Sequence, residues 1–284
     1  MKKIISIVAL LIGVIYNAKA INFSDETKDT IAIIKNSNNY KQLKTTIINK
    51  FNNTKPLHFG EFIKGSYIKL NANKKIMAFT FDACGGRGSN GYNVGLIDYL
   101  RKEKVPATLF ITGKWIDANP KTFKQLANDT LFEIENHGLN HRLCSVNGAS
   151  VYGIQGTKNV GEVVDEMELN AIKIKIITGK RPKYFRSATA FTDDVCTQIA
   201  EHLNMKIVSY STLSGDAIAD TPDSIICNNI LTRIKPGAIV IMHFNHPLWQ
   251  EKQALQKAIP ILRKMGYSFV KLEDYELIDS FSGK

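Results

Sequence analysis

Short apolar runs alternate with amphipathic segments along most of the chain. The runs have the length and the content of β-branched and aromatic residues that buried strands show, and the intervening segments carry apolar residues three and four positions apart, as helices do. The predicted strands begin with IMAFTF (76–81) and ATLFIT (107–112) and continue with KYFRSA, KIVSYS, GAIVIMHF and YSFVKL. About seven such units in about 200 residues predict an α/β fold with parallel strands, either a barrel or a doubly wound sheet.

The first 20 residues have the three parts of a secretory signal peptide. Lys2 and Lys3 precede an apolar stretch over 4–16, and the small-x-small sequence AKA at 18–20 ends the segment. This stretch is shorter than the roughly 20 residues that a membrane-spanning helix needs. We therefore predict cleavage and export to the periplasm or the medium, with no transmembrane segment left after cleavage. An uncleaved anchor is the alternative.

Two regions follow the predicted signal peptide. Residues 21–73 are rich in Lys, Asn, Thr and Ile, and the patterns DETKDTIAIIKN and YKQLKTTIINKF predict a helical N-terminal extension. The alternation of strands and helices occupies residues 74–284 and predicts a single barrel or sheet domain there.

Charge and cysteine content narrow the classes of partner. The net charge of +11 favours anionic partners, which outside the cytoplasm are envelope polymers and lipid head groups. No basic run is interleaved with aromatic residues, so we do not expect a nucleic-acid partner. Four cysteines are too few for a disulfide framework in a chain of 284 residues.

Four residues whose side chains could take part in catalysis lie at or just after the ends of strand-like runs. They are Asp82, Arg186, Asp216 and His243. In parallel α/β folds the active site forms where the strands end and the loops begin. The sequence therefore predicts that these side chains meet at one end of the fold.

His137 and His141 lie four residues apart in EIENHGLNHR. On a helical turn both imidazoles would point the same way, which is a spacing found in metal sites. A chance pair of surface histidines is the alternative interpretation of the same spacing.

Five segments together resemble the motifs of a known family. TFDACGG, EIENHGLNH, YFRSATA, SYSTLSGDA and IVIMHFNHP are similar, in order and spacing, to the five motifs of the polysaccharide deacetylases, carbohydrate esterase family four. The resemblance covers about residues 74–275. It implies a distorted (β/α) barrel with about seven parallel strands. It also implies removal of N-acetyl or O-acetyl groups from sugars with the help of a divalent metal, with zinc as the expected ion.

The resemblance implies a role for each motif residue. Asp82 matches the general base, and we also expect it among the metal ligands. His137 and His141 match the two metal-binding histidines. His243 matches the acid that protonates the departing amine. The remaining positions are Arg186, which holds the base ionised and oriented, Asp216, which tunes the acid histidine, and Thr189, whose backbone N–H would donate to the oxyanion. Asn245 and His246 are expected close to the site, and a turn before Pro247 is the alternative role for them.

The sequence departs from the family pattern at three places. The family has a second, metal-binding aspartate where Ala83 stands, two prolines and a tyrosine where 187–189 reads SAT, and a tryptophan where Ala217 stands. The last two changes predict a remodelled pocket around the acetyl group. The first removes a metal ligand, and we rank the replacements as water with Asp82 first, Asn245 or His246 next, and the oxidisable thiol of Cys84 last.

Two pairs of residues keep alternatives open. Cys84 and Cys144 flank the predicted site, where a disulfide would rigidify both loops and two free thiols are the alternative. Trp115 and Trp249 could each line a sugar groove or pack in the core.

The predicted function is that of an exported, metal-dependent hydrolase acting on carbon–nitrogen bonds other than peptide bonds. It would remove the N-acetyl group of an amino sugar in an envelope polysaccharide, peptidoglycan or glycolipid. The alternatives are a catalytically silent glycan-binding protein on the same fold, because Ala83 replaces a ligand, and a hydrolase of a non-sugar amide.

Overall fold

The computed structural model describes the backbone of residues 23–281 and the side chains of residues 28–281. The predicted signal peptide lies outside the described residues. None of the helices in the described part combines the length and the apolar character needed to cross a membrane.

Helices and strands alternate through most of the chain. The helices are α1 (Phe23–Asn36), α2 (Asn38–Phe51), α3 (Val94–Lys102), α4 (Gly113–Ala118), α5 (Pro120–Ala127), α6 (Val160–Thr178), α7 (Asp194–His202), α8 (Asp223–Arg233) and α9 (Glu251–Lys264). The strands are β1 (Phe59–Gly60), β2 (Ser66–Leu70), β3 (Ile76–Ala83), β4 (Ala107–Ile111), β5 (Phe132–Asn136), β6 (Ser150–Val151), β7 (Ile154–Gln155), β8 (Tyr184–Phe185), β9 (Thr192–Asp193), β10 (Lys206–Val208), β11 (Thr212–Leu213), β12 (Ala238–His243), β13 (Ser268–Phe269) and β14 (Leu277–Asp279). Ala188–Ala190 and Leu272–Asp274 form short 3-10 turns.

Seven strands within the described residues close into a barrel. Their order around the ring is β12, β2, β10, β8, β5, β4, β3 and back to β12. Neighbouring strands are parallel except at the junction of β12 and β2, where the single pairing of Ala238 with Lys69 is antiparallel. The predicted distorted barrel of about seven parallel strands is confirmed, and the irregular junction is where it departs from a regular ring.

Strand β3 separates two buried layers by the alternation of its side chains. Met77, Phe79, Phe81 and Ala83 belong to the apolar layer between the barrel and its surrounding helices. Residues on the other face of β3, which ends with Asp82, point into the barrel interior, because successive side chains of a strand alternate between its faces. The parity of β3 therefore directs Asp82 into the barrel and Ala83 away from it.

The two N-terminal helices pack against α6 and α7. Phe51 of α2 is buried in the cluster that these helices share. Tyr40 Oη donates to Asp165 Oδ1 at 2.8 Å, and Lys44 Nζ lies 2.7 Å from the same oxygen. Both predicted helical segments of the extension are thus helices, and β2 of the barrel ring lies before the predicted boundary at residue 74.

Candidate active site

The pairing of β3 with β12 brings two predicted site residues to the same level. The last pair in the register of these parallel strands is His243 with Asp82. Arg186 directly follows β8, and Asp216 lies three residues after β11. All four residues predicted from strand ends therefore meet at the carboxyl end of the barrel, where loops leave the sheet.

Asp82 forms an ion pair with a buried arginine. Arg186 Nη1 donates to Asp82 Oδ1 at 2.8 Å, and both side chains are almost wholly buried. Nε and Nη2 donate to the carbonyl oxygens of Val208 at 3.2 Å and Ser209 at 2.9 Å, and the guanidinium lies over the ring of Phe110. Because each of its three nitrogens donates a hydrogen bond, the arginine is fixed, and Asp82 has one oriented oxygen left for chemistry.

His243 is held by a second carboxylate. Asp216 Oδ2 accepts the backbone N–H of His243 at 2.6 Å and lies 3.3 Å from His243 Nδ1, while Oδ1 accepts from Ser214 Oγ at 2.7 Å. Burial acts to lower the pKa of His243, but the charge and hydrogen bond of Asp216, with a contribution from Cys84, raise it well above its ordinary value. A protonated imidazole with Nδ1 engaged has Nε2–H available as a proton donor.

His137 has a defined tautomer when neutral. It follows β5, and its Nδ1 lies 2.9 Å from the carbonyl oxygen of Arg186, which only accepts hydrogen bonds, so Nδ1 carries a proton. Its Nε2 lies 3.8 Å from Asp82 Oδ2 and 4.0 Å from Cys84 Sγ. This arrangement, with one nitrogen donating to a carbonyl and the other lone pair directed into the site, is typical of metal-binding histidines.

The loop that carries His141 is not a helical turn, so that expectation was wrong. His141 has a left-handed φ of 58°, and Glu166 Oε1 accepts the backbone N–H groups of Asn140 at 2.8 Å and Arg142 at 3.1 Å. A buried carboxylate thus organises the loop in place of helical hydrogen bonds. The imidazole rings of His137 and His141 still lie 5.0 Å apart between centroids.

Cys84 joins the two histidines in a group able to hold a metal ion. The ligand atoms of Cys84, His137 and His141 all lie within 4.8 Å of one another. Burial acts to raise the pKa of the Cys84 thiol, but the adjacent imidazoles of His141, His137 and His243 bring it well below its ordinary range. Two imidazoles and a thiol are a donor set suited to zinc.

This geometry favours Cys84 as a replacement for the missing ligand more than the ranking from the sequence did. Cys84, ranked last, belongs to the group that includes both histidines. Asp82, ranked first together with water, has one oxygen bound to Arg186 and lies near one histidine of the group. Strand parity explains why both side chains reach the site, since side chains two apart on β3 and its extension share a face. The ion pair with Arg186 then distinguishes Asp82 from Cys84.

The four cysteines, Cys84 and Cys144 among them, are free thiols. Cys144 is buried, and its backbone N–H donates to Ser187 Oγ at 2.8 Å. The structure thus agrees with the free-thiol alternative for the pair that flanks the site.

The remaining predicted residues lie in two loops. Thr189 lies in the 3-10 turn after Arg186, with a left-handed φ of 58°. Asn245 is fully buried, and its amide donates to the carbonyl oxygen of Ser89 at 3.0 Å, which ties the loop after β12 to the glycine-rich loop after β3. His246 stacks on Trp249, with ring centroids 3.8 Å apart.

The two tryptophans have different environments. Trp115 is fully buried, and its indole N–H donates to the carbonyl oxygen of Gly91 at 2.8 Å, so it is a core residue. Trp249 lies 5.9 Å from His243 between ring centroids and lines a cavity of about 310 Å³. The same cavity is lined by Asp216 and by the exposed side chains of Ile218 and Leu248.

Sequence reasoning missed two buried polar residues of α6, Glu166 and Asn170. Glu166 organises the His141 loop, and Asn170 Nδ2 donates to the carbonyl oxygen of Ile111 at 2.9 Å and to Asn136 Oδ1 at 2.7 Å. Their spacing of four residues on one face of a predicted helix was the available signal, because polar residues on a buried helix face need specific partners.

Residues 69–208 match the family model described as polysaccharide deacetylase. The uncharacterized protein YlxY of Bacillus subtilis is 26% identical over 200 residues, which cover 70% of this chain and 57% of YlxY, so the chain spans little more than half of that relative. A peptidoglycan-N-acetylglucosamine deacetylase of Bacillus cereus is 28% identical over 205 residues, 71% of this chain and 88% of the relative.

Solved structures show the same architecture. A CE4 family pseudoenzyme from Bacillus anthracis superposes with a TM-score of 0.63 at 23% identity, covering 73% of this chain and 67% of that chain. At this level of identity the likeness concerns the fold.

Proposed function

Because the chain belongs to the polysaccharide deacetylase family, whose model matches residues 69–208, we propose that the protein is a metal-dependent hydrolase that removes the N-acetyl group of an amino sugar in peptidoglycan or a related envelope polysaccharide. The family match confirms the predicted family and, with it, the predicted enzyme class. The observation that carries the proposal is the convergence at one barrel mouth of an Arg-held carboxylate, an Asp-held imidazole and a metal-capable group.

The proposed metal is a divalent ion, with zinc favoured by the nitrogen and sulfur donors present. His137 and His141 would hold it, because their ring nitrogens lie within 4.8 Å of each other. A bound zinc ion polarises a carbonyl group and lowers the pKa of water to about 7.

The protein's own groups divide the proton transfers between them. Asp82 accepts a proton from the attacking water, and Arg186 keeps its carboxylate oriented. His243, with Nδ1 engaged by Asp216, donates the proton on Nε2 to the departing amine nitrogen. The backbone N–H of Thr189 is the proposed donor to the oxyanion. Such paired acid and base groups contribute about 10²- to 10⁴-fold each.

The groove beside His243 is the proposed site for the sugar. Trp249 offers an aromatic face there, and Ile218 and Leu248 offer exposed aliphatic surface. The amino-sugar substrate is supported by the relative from Bacillus cereus, whose name states peptidoglycan N-acetylglucosamine as its substrate.

Export to the periplasm or the medium is part of the proposal and rests on residues 1–20. The expected result is a secreted or periplasmic protein whose mature N-terminus is Ile21, measured by N-terminal sequencing after fractionation. Recovery of the intact precursor in the cytoplasmic fraction would contradict export.

Acetate release from N-acetylated peptidoglycan fragments tests the reaction. We expect release that a zinc chelator abolishes and that His243→Ala lowers by at least about 10²-fold. His58→Ala, which changes an exposed histidine that is not among the proposed site residues, is the matched control and should retain activity. Fragment binding without acetate release or bound metal would favour a silent glycan-binding protein. Turnover of small acetamides alone would favour a hydrolase of non-sugar amides.

A further inference from the structure

The backbone around Cys84 is pinned so that its thiol faces the histidines. The Cys84 carbonyl oxygen accepts from Thr112 Oγ1 at 2.7 Å. The next residue, Gly85, has a left-handed φ of 70°, and a Cβ there would lie 2.5 Å from the backbone nitrogen of Trp115. Only glycine fits that position, so the chain turns immediately after Cys84 and leaves its Sγ 4.0 Å from His137 Nε2.

The neighbouring residue supplies no ligand, because alanine carries no donor atom. Ala83 is fully buried in the apolar layer between the barrel and its helices, together with Phe81 and Trp115. Cys84, one residue later, is the ligand-bearing side chain on the face that the histidines share.

The geometry of the three donors fits a tetrahedral zinc ion. Zinc bonds of about 2.3 Å to sulfur and about 2.0 Å to nitrogen put the ligand atoms about 3.5 Å apart. The observed separations are all within 4.8 Å, so they exceed that value by at most about 1.3 Å. Side-chain movements of that size would bring the three donors to zinc-binding distances. Three protein ligands with a fourth position open is the usual composition of a catalytic zinc site.

We propose that Cys84 supplies, as a thiolate, the third protein ligand of the zinc ion held by His137 and His141. The assignment rests on the proposed metal dependence and extends it. It leaves Asp82 bound to Arg186 and available as the base, so the ligand and base functions lie on two different side chains of β3 and its extension.

Cobalt spectroscopy tests the assignment without relying on activity. Protein stripped of metal and loaded with one equivalent of Co²⁺ should show a near-ultraviolet sulfur-to-cobalt charge-transfer band. Cys84→Ser should lose the band and bind zinc at least about 100-fold more weakly, measured by competition with a chromophoric chelator. Cys227→Ala, a buried cysteine outside the site, is the matched control and should keep both the band and the affinity.

A second variant guards against misfolding of the first. Cys84→Asp exchanges the sulfur donor for a carboxylate and should bind Co²⁺ stoichiometrically without the charge-transfer band. Stoichiometric Co²⁺ binding by the unmodified protein with no sulfur band would overturn the assignment, whatever the variants do. Persistence of the band in Cys84→Ser would overturn it too, as would chelator-resistant turnover with an acetyl group trapped on Cys84.

The outcomes separate this assignment from the proposed function. A sulfur band in a protein that releases no acetate would support Cys84 as a metal ligand and contradict the deacetylase activity. Metal-dependent acetate release from a protein with no sulfur band would support the deacetylase activity and contradict Cys84 as a ligand.

Discussion

Two buried carboxylates at the barrel mouth, Asp82 and Asp216, have nearly the same exposure and opposite kinds of partner. Asp82 is paired with Arg186, a permanent cation whose other donors are bound to backbone carbonyls. Asp216 is paired with His243, an imidazole whose pKa the charge of Asp216 helps to raise well above its ordinary value, despite burial. Two similar side chains thus lie near strand ends, and the partner residue of each one determines its role.

This difference assigns the base to the Asp82 side of the barrel mouth and the acid to the Asp216 side. The fixed cation orients the Asp82 carboxylate, which suits a base. The titratable partner of Asp216 is a proton carrier, which suits an acid. Variants that exchange or remove these partners measure how far the assignment holds.

The largest expected effect is on turnover in Asp82→Asn. An amide of the same shape retains the hydrogen bond from Arg186 but accepts no proton, so we expect kcat to fall by about 10⁴-fold. Steady-state acetate release measures this, with zinc content determined in parallel. A fall of less than tenfold would remove Asp82 from the base position.

Stability gives the next largest effect, in Arg186→Met. Removing one partner of a buried ion pair leaves an uncompensated charge, and we expect a loss of about 3–5 kcal/mol in the free energy of unfolding. Urea denaturation measures it. Lys257→Met, which breaks an exposed pair with Asp223, is the control and should change stability by less than about 1 kcal/mol. Equal losses in the two variants would contradict the view that burial makes the Asp82 pair distinctive.

Asp216→Asn should have a smaller effect on turnover than Asp82→Asn. The amide keeps the backbone hydrogen bond at His243 but no longer favours the protonated imidazole, and we expect kcat to fall by about 10²-fold. The same acetate assay, run beside Asp82→Asn, gives the ratio of the two losses. A larger loss at Asp216 would invert the comparison.

The smallest expected effect is the pH dependence of stability at Glu251, a third buried carboxyl group. Burial and the nearby charge of Asp216 raise its pKa from 4.5 to about 8, while Asn93 supplies its side-chain hydrogen bond. The folded protein therefore retains a proton that the unfolded chain releases above pH 4.5, so stability falls as pH rises from about 4.5 to about 8.

Glu251→Gln cannot ionise and removes this dependence. We expect the variant to exceed the unmodified protein in unfolding free energy by on the order of 2 kcal/mol at pH 9, with the difference vanishing near pH 5. Chemical denaturation at the two pH values measures it. Parallel pH profiles for the two proteins would show that the Asp216 side of the barrel mouth does not hold a neutral carboxyl group.

Much of the fold was predictable because it depends on local patterns. The apolar runs that became β3, β4 and β12 are continuous enough to mark buried parallel strands, and about seven of them imply a barrel. β2 was not predicted as part of the ring, since its pattern of buried and half-buried residues differs from that of the inner strands. Its position depends on pairing with β10 and β12, which are distant in sequence.

The site residues also divide into those that the sequence predicted and those that it did not. Residues at strand ends, such as Asp82 and His243, were predictable, because parallel strands end together. The third metal donor could not be chosen from the sequence, because the choice among Asp82, Cys84 and the loop after His243 depends on where each side chain lies in space. Glu166 was missed because its partners are backbone groups of a loop that no periodic pattern describes.

The sequence by itself determined the family, the barrel and the chemical types of its site residues, because strand periodicity and ordered motifs are local properties of the chain. Only the tertiary structure decided which residue on the segment 82–84 faces which partner. That choice follows from ring closure, which directs Asp82 to Arg186 inside the barrel and Ala83 to the apolar layer outside it. The turn at Gly85 then aims Cys84 at the two histidines.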